Sequence, residues 1–130
     1  MVHYQLELTV PSPGKSISFM EFSPDGRFLA AGDRVSPILY IIDGLTGFYP
    51  SISSATLAKP TALVWETPKS FFVGLSDGRF THYCIDPGNG KLVPGTVNSV
   101  FLGQFPVTSI ALSAESKTLV LSVGPHVLIF

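Results

Sequence analysis

Charge is the first thing this sequence lacks. Only 13% of its 130 residues are charged, about half the usual share, and the formal net charge is −1. Lys15, Arg27, Arg34, Lys59, Lys69, Arg79, Lys91 and Lys117 are scattered singly. Affinity for nucleic-acid phosphates rests on clustered cations, so no nucleic-acid partner is expected. Cys84 is the single cysteine; it excludes an intrachain disulfide and reads as a small buried hydrophobe on a strand. The start, MVHYQLELTV, lacks a basic flank before an apolar core, and no apolar run approaches membrane-spanning length. Neither a secretory signal nor a membrane partner is expected, and the reading is a soluble intracellular protein, cytoplasmic or nuclear. Helical signals are scarce too: the stretch 51–59 stops at Pro60 and carries no capping box.

What is present is apolar and β-forming. Hydrophobic residues make up 45% of the chain, in runs of Val, Ile, Phe, Tyr and Leu punctuated by Gly, Pro, Ser and Asp, which predicts an all-β fold. Laid against itself, the chain writes one unit nearly three times. A strand, a turn and a strand occupy residues 17–32, then 61–75, then 107–122. Matching Phe22, Trp65 and Leu112 gives spacings of about 43 and 47 residues, near the period of a four-stranded propeller blade. Third strands are expected at 38–42, 80–85 and 127–130, and fourth strands near 49–55 and 97–102. The turns have physical reasons: in Ser23-Pro24-Asp25-Gly26, proline presets φ, aspartate bonds back onto the backbone and glycine permits the reversal. Ser76-Asp77-Gly78 is a tight hairpin signal, and Asp43-Gly44 and Asp86-Pro87-Gly88 mark the next turn in two units.

The segment Phe22-Ser-Pro-Asp-Gly-Arg-Phe-Leu-Ala30 resembles the first hairpin of a WD repeat, and Ile42-Asp43 and Ile85-Asp86 stand where that family ends its third strand in Trp-Asp. The resemblance extends from Lys15 onward and implies four-stranded antiparallel blades of a β-propeller. No Gly-His pair precedes any first strand, so the family's His–Asp network is not expected, although Asp33 and Asp77 lie near its structural aspartate; the resemblance is to a divergent member. The stretch 85–94 is also similar to a recurring segment of lactonase-type propellers. That similarity implies an alternative, a propeller hydrolase or a propeller binding a small ligand or carbohydrate.

Residues 4–10 alternate apolar with polar, as a half-buried strand does. The expected organisation is therefore a lone outer strand at 4–10, blades at 15–56 and 60–103, and a three-stranded incomplete blade at 106–130. This amounts to about three blades with an offset first strand. Propellers close with roughly four to eight blades, so a second copy is the expected partner: a homodimer completing one six-bladed ring, each N-terminal strand supplying the other copy's last blade.

Catalytic chemistry is not expected. His3, His82 and His126 lack metal-ligand spacing and read as bystanders; the carboxylates fall mostly in turns, apart from Glu21 on an innermost strand, where it can line a central channel. No phosphate loop or nucleophile elbow occurs, and neither a metal nor another cofactor is expected. Loops on one side of a propeller are instead the expected binding surface for a protein partner, carried by Lys15, Arg34, Ser36, Lys59, Phe105 and His126.

Overall fold

The structure, a computed structural model, describes residues 4–5, 17–33, 38–44, 49–55, 58–86, 92–94, 100–101, 105–113 and 115–130. Among the described residues, twelve strands form three separate antiparallel sheets in chain order. The first holds β1 (Phe19–Phe22), β2 (Phe28–Gly32), β3 (Ile38–Asp43) and β4 (Tyr49–Ala55). The second holds β5 (Pro60–Thr67), β6 (Ser70–Leu75), β7 (Arg79–Ile85) and β8 (Leu92–Pro94), with β9 (Val100–Phe101) also on β7. The third holds β10 (Val107–Ser113), β11 (Thr118–Val123) and β12 (His126–Ile129). The architecture is all-β, as the sequence implies. The strand expected at 4–10 lies outside the described residues, apart from Tyr4 and Gln5.

Two details differ from the sequence reading. The outer partner of β7 begins at Leu92, earlier than the 97–102 expected, and it comes as two short pieces on one edge of β7. The Asp43 and Asp86 positions are also not equivalent. Asp43 ends β3 opposite Phe28, whereas Cys84 stands opposite Ser70 in the middle sheet and Asp86 follows the strand. Dipeptide matching cannot see such an offset, because register is set by which face must be buried.

The sheets stack face to face through two apolar layers. Phe28, Ala30, Leu39 and Ile41 of the first sheet meet Leu63, Trp65, Phe71 and Val73 of the second. The opposite face of the second sheet, through Ala62, Phe72 and Phe80, meets Val107, Leu119, Leu121 and Val123 of the third. Covered on both sides, β6 is buried at every position and reads as an unbroken run, Ser-Phe-Phe-Val-Gly-Leu. The layers close tightly: a Cβ at Gly74 would overlap the Val107 side chain. The Thr61 hydroxyl donates to the carbonyls of Gly74 and Val107, and Trp65 Nε1 donates across the other layer to the Glu21 carbonyl at 2.9 Å.

The pairing of the first two strands gives the three sheets equivalent positions. Phe22, Trp65 and Leu112 pair with Leu29, Phe71 and Leu119, and so hold one place in successive sheets. Trp65 is 7% exposed and Leu112 is half-buried, because each faces the preceding sheet; Phe22 has no preceding sheet among the described residues and is 55% exposed. Met20 repeats the contrast with Leu63 and Ile110. Ala31 and Tyr40, on the same face as Met20, are nevertheless buried. At the other end Ile129 matches Ile41 and His82, yet it is 71% exposed where Ile41 is fully enclosed. Val127 beside it is exposed as well.

Candidate functional site

The hairpin turn of the first sheet is held by its own polar residues. Ser23 Oγ donates to Asp25 Oδ1 at 2.7 Å, and the Arg27 amide adds a second bond to the same oxygen. These bonds to the charged form, Ser23's first, hold the Asp25 carboxyl below its ordinary value of 3.8. Arg27 reaches across to Asp43 in a bidentate pair, both contacts 3.1 Å, with its guanidinium over the Phe28 ring. The Asp43 carboxylate raises the Arg27 pKa. This fork-to-fork geometry fixes the end of β3 against the turn.

At the opposite ends of the strands lie the loops that enter β5 and β10. Lys59 is exposed, and its backbone exchanges bonds with Ser76 of the β6–β7 turn: Ser76 N–H to Lys59 carbonyl at 2.8 Å, and Lys59 N–H to Ser76 Oγ at 3.2 Å. Phe105 is exposed yet lies on the β11–β12 turn, where a Cβ at Gly124 would come within 2.6 Å of its ring. Gly124 has φ +57°, a left-handed conformation that favours glycine. His126 follows two residues later and is exposed. In both sheets the incoming loop rests on that sheet's own β-turn, so Lys59, Phe105 and His126 stand on one side of the array. Lys15, Arg34 and Ser36 lie outside the described residues.

A third set of polar side chains was missed by the sequence reading. His82, which reads as a bystander in the sequence, is 5% exposed on β7, and its Nε2 lies 3.0 Å from Glu66 Oε1. A carboxylate only accepts, so the ring proton is on Nε2. Ser70 Oγ donates to the same oxygen at 2.9 Å. Thr67 Oγ1 then donates to Ser70 Oγ at 2.6 Å and receives the Lys69 amide at 3.2 Å. Every hydroxyl in this chain has one donor and one acceptor role, ending at Glu66. His82 Nδ1 is buried with no partner among the described residues, and the ring stacks on Phe72 at 4.6 Å. A period-two count from Ala62 and Val64 puts Glu66 on the face that Phe72 and His82 share. That alternation was the signal available in the sequence.

The inner strands β1, β5 and β10 stand side by side, and Glu21, Thr61, Thr108 and neighbouring residues line one hollow of about 210 Å³. Glu21 is exposed there, and its structural contribution is the backbone carbonyl that takes the Trp65 indole bond. Among the described residues, no three His, Cys, Asp or Glu side chains gather into a metal-binding group. No helix among them is long and apolar enough to cross a membrane.

Three stacked antiparallel sheets, with first strands innermost and a hairpin-then-outer-strand order in each, have the fold of consecutive β-propeller blades, like those of WD-repeat propellers. Solved structures agree. A chain of the "Mitotic Checkpoint Complex" crystal structure superposes with TM-score 0.71 at 14% identity over 86% of this chain and 34% of that one. The Saccharomyces cerevisiae protein Sqt1 superposes with TM-score 0.72 at 20% identity over 90% and 34%. This chain spans about a third of the length of either matched chain. No protein-family model and no curated protein sequence matches it. The likeness is one of fold.

Proposed function

We propose that this chain is a non-catalytic, intracellular protein-interaction scaffold of WD-like repeats that closes its ring by pairing with a second copy. The observation that supports the reading is the exposure of equivalent positions at the two ends of the array. Met20 and Phe22 face outward from the first sheet, and Val127 and Ile129 face outward from the third, although their counterparts in the middle sheet are buried. Fully covering a side chain of this size is worth about 1.5–3 kcal/mol. In a two-fold, head-to-tail arrangement the third sheet of one copy covers the first sheet of the other, and the rotation closes after two chains. The units are then 15–56, 60–103 and 106–130, with the strand at 4–10 completing the third sheet of the partner copy.

On the closed ring, Lys15, Arg34, Ser36, Lys59, Phe105 and His126 form the surface offered to a protein partner. The rigid support of Phe105 and Lys59 by neighbouring turns suits such a surface, because pre-organised groups lose less freedom on binding. One structural neighbour is a chain of the Mitotic Checkpoint Complex, which accords with a scaffold role. Light scattering tests the reading: a particle of twice 13.9 kDa is expected, whereas a stable, soluble monomer overturns ring closure by self-association.

A further inference from the structure

A cleft of about 370 Å³ opens between the second and third sheets, beside the β5–β6 and β10–β11 turns. It lies at the far end of β5 from Lys59, roughly 25 Å away for a strand of this length. Phe72, Leu112 and Leu119 give it an apolar lining; Glu66 lines it from the second sheet and Lys117 from the third. Its volume falls within the range of small-ligand sites.

The two charged side chains are held differently. Glu66 is fixed from below, since Oε1 takes bonds from Ser70 and the buried His82, while its side chain remains 38% exposed. Among the described residues its second oxygen has no partner. Lys117 is exposed, with its backbone at φ +53°, and its ammonium forms no ion pair among the described residues. A lone cation would be drawn to Glu66 and repelled by Lys117, and a lone anion the reverse. A neutral group that donates on one side and accepts on the other satisfies both at once. A peptide bond is such a group, and the apolar lining calls for an aliphatic side chain next to it.

We propose that this inter-sheet cleft binds an extended peptide segment of a partner protein. One aliphatic side chain lies on Phe72, Leu112 and Leu119, a backbone N–H donates to Glu66, and a carbonyl accepts from Lys117. The site is independent of ring closure and of the loop surface, because two sheets of one chain supply all of it. The polar chain from Thr67 to His82 holds the acceptor oxygen in place before the peptide arrives.

The test is a titration of the isotope-labelled 130-residue chain, followed by NMR at Phe72, His82, Leu112 and Leu119. N-acetyl-leucine N-methylamide is the probe, with isobutylammonium and isovalerate as singly charged controls of the same apolar shape. The amide should saturate with a Kd on the order of 1 mM, the affinity usual for so few atoms, and both controls should bind about tenfold more weakly. Lys117→Met leaves the Glu66 chain untouched and should weaken the amide several-fold, while Glu66→Gln should weaken it about tenfold. If Glu66→Gln fails to fold, Lys117→Met decides alone. Absent or non-saturating shifts, tighter binding of either charged control, or unchanged affinity in Lys117→Met overturns the proposal. Each of these outcomes leaves the particle mass, and with it ring closure, untouched.

Discussion

Trp65 and Phe22 occupy one position in neighbouring sheets, and so do His82 and Ile129, yet burial separates each pair. The middle sheet is covered on both faces. Its second strand has therefore lost the alternation of polar and apolar residues, and the sheet's buried polar side chains, Ser70 and His82, are both bonded to Glu66, with the His82 ring stacked on Phe72. The end sheets carry equally apolar residues that, among the described residues, include exposed ones: Met20 and Phe22 at one end, Val127 and Ile129 at the other. A stacked array does not finish where a sheet finishes: each sheet buries its faces only through its neighbours, and what stabilises the middle of the array becomes a docking surface at its ends.

The sharpest way to break this comparison is one substitution at two equivalent places. Trp65→Ala removes a buried ring packed between Phe28 and Phe71 along with its bond to the Glu21 carbonyl, and should lower stability by about 3–5 kcal/mol in urea denaturation. Phe22→Ala should change the stability of an isolated chain by well under 1 kcal/mol and act on assembly instead. Equal losses at both sites would mean that the first sheet is covered as fully as the second.

Next in size is the opposite end. Val127→Ser combined with Ile129→Ser should leave the fold intact while shifting the particle from dimer toward monomer, as sedimentation would show. A dimer unaffected by the pair would move the contact elsewhere. Gly124→Ala should cost about 1–2 kcal/mol, because it places a Cβ at positive φ under the Phe105 ring. The same change should alter binding at the loop surface if Phe105 belongs to it, and a partner pull-down measures that part.

The smallest effect is one of pH. The folded state holds Asp25 below its ordinary 3.8, through Ser23 first and the Arg27 amide second. The unfolded chain therefore binds the proton more readily, and Asp25 adds stability above its unfolded value that is lost as pH falls through the folded one. The melting temperature of the parent chain should exceed that of Asp25→Asn by a constant margin above about pH 5, and the margin should shrink below about pH 4. A margin independent of pH would show that the turn does not depend on the carboxylate's charge.

Much of this fold is legible in the sequence because its signals are local. The turn at Ser23-Pro24-Asp25-Gly26, the recurrence of Phe22, Trp65 and Leu112, and the hairpins that follow need only neighbouring residues to be read. The candidate sites are less legible. Phe105 and Lys59 are recognisable as loop residues, but their resting on Gly124 and Ser76 is a contact between distant segments. Glu66 and His82 sit sixteen residues apart on strands that are not paired with each other. Only the common face they share around β6 brings them within bonding distance.

The sequence by itself determined the class of structure, since periodicity, turn chemistry and repetition act over a few residues at a time and point the same way in every unit. It also determined which residues are apolar, and so which faces must find cover. The tertiary structure alone decided which faces find it. Burial depends on the sheet that stacks alongside, tens of residues away in the chain, so Trp65 and Phe22 look alike in sequence and differ in space. By the same route the structure made a bonded pair of His82 and Glu66 and opened a two-signed cleft between the second and third sheets.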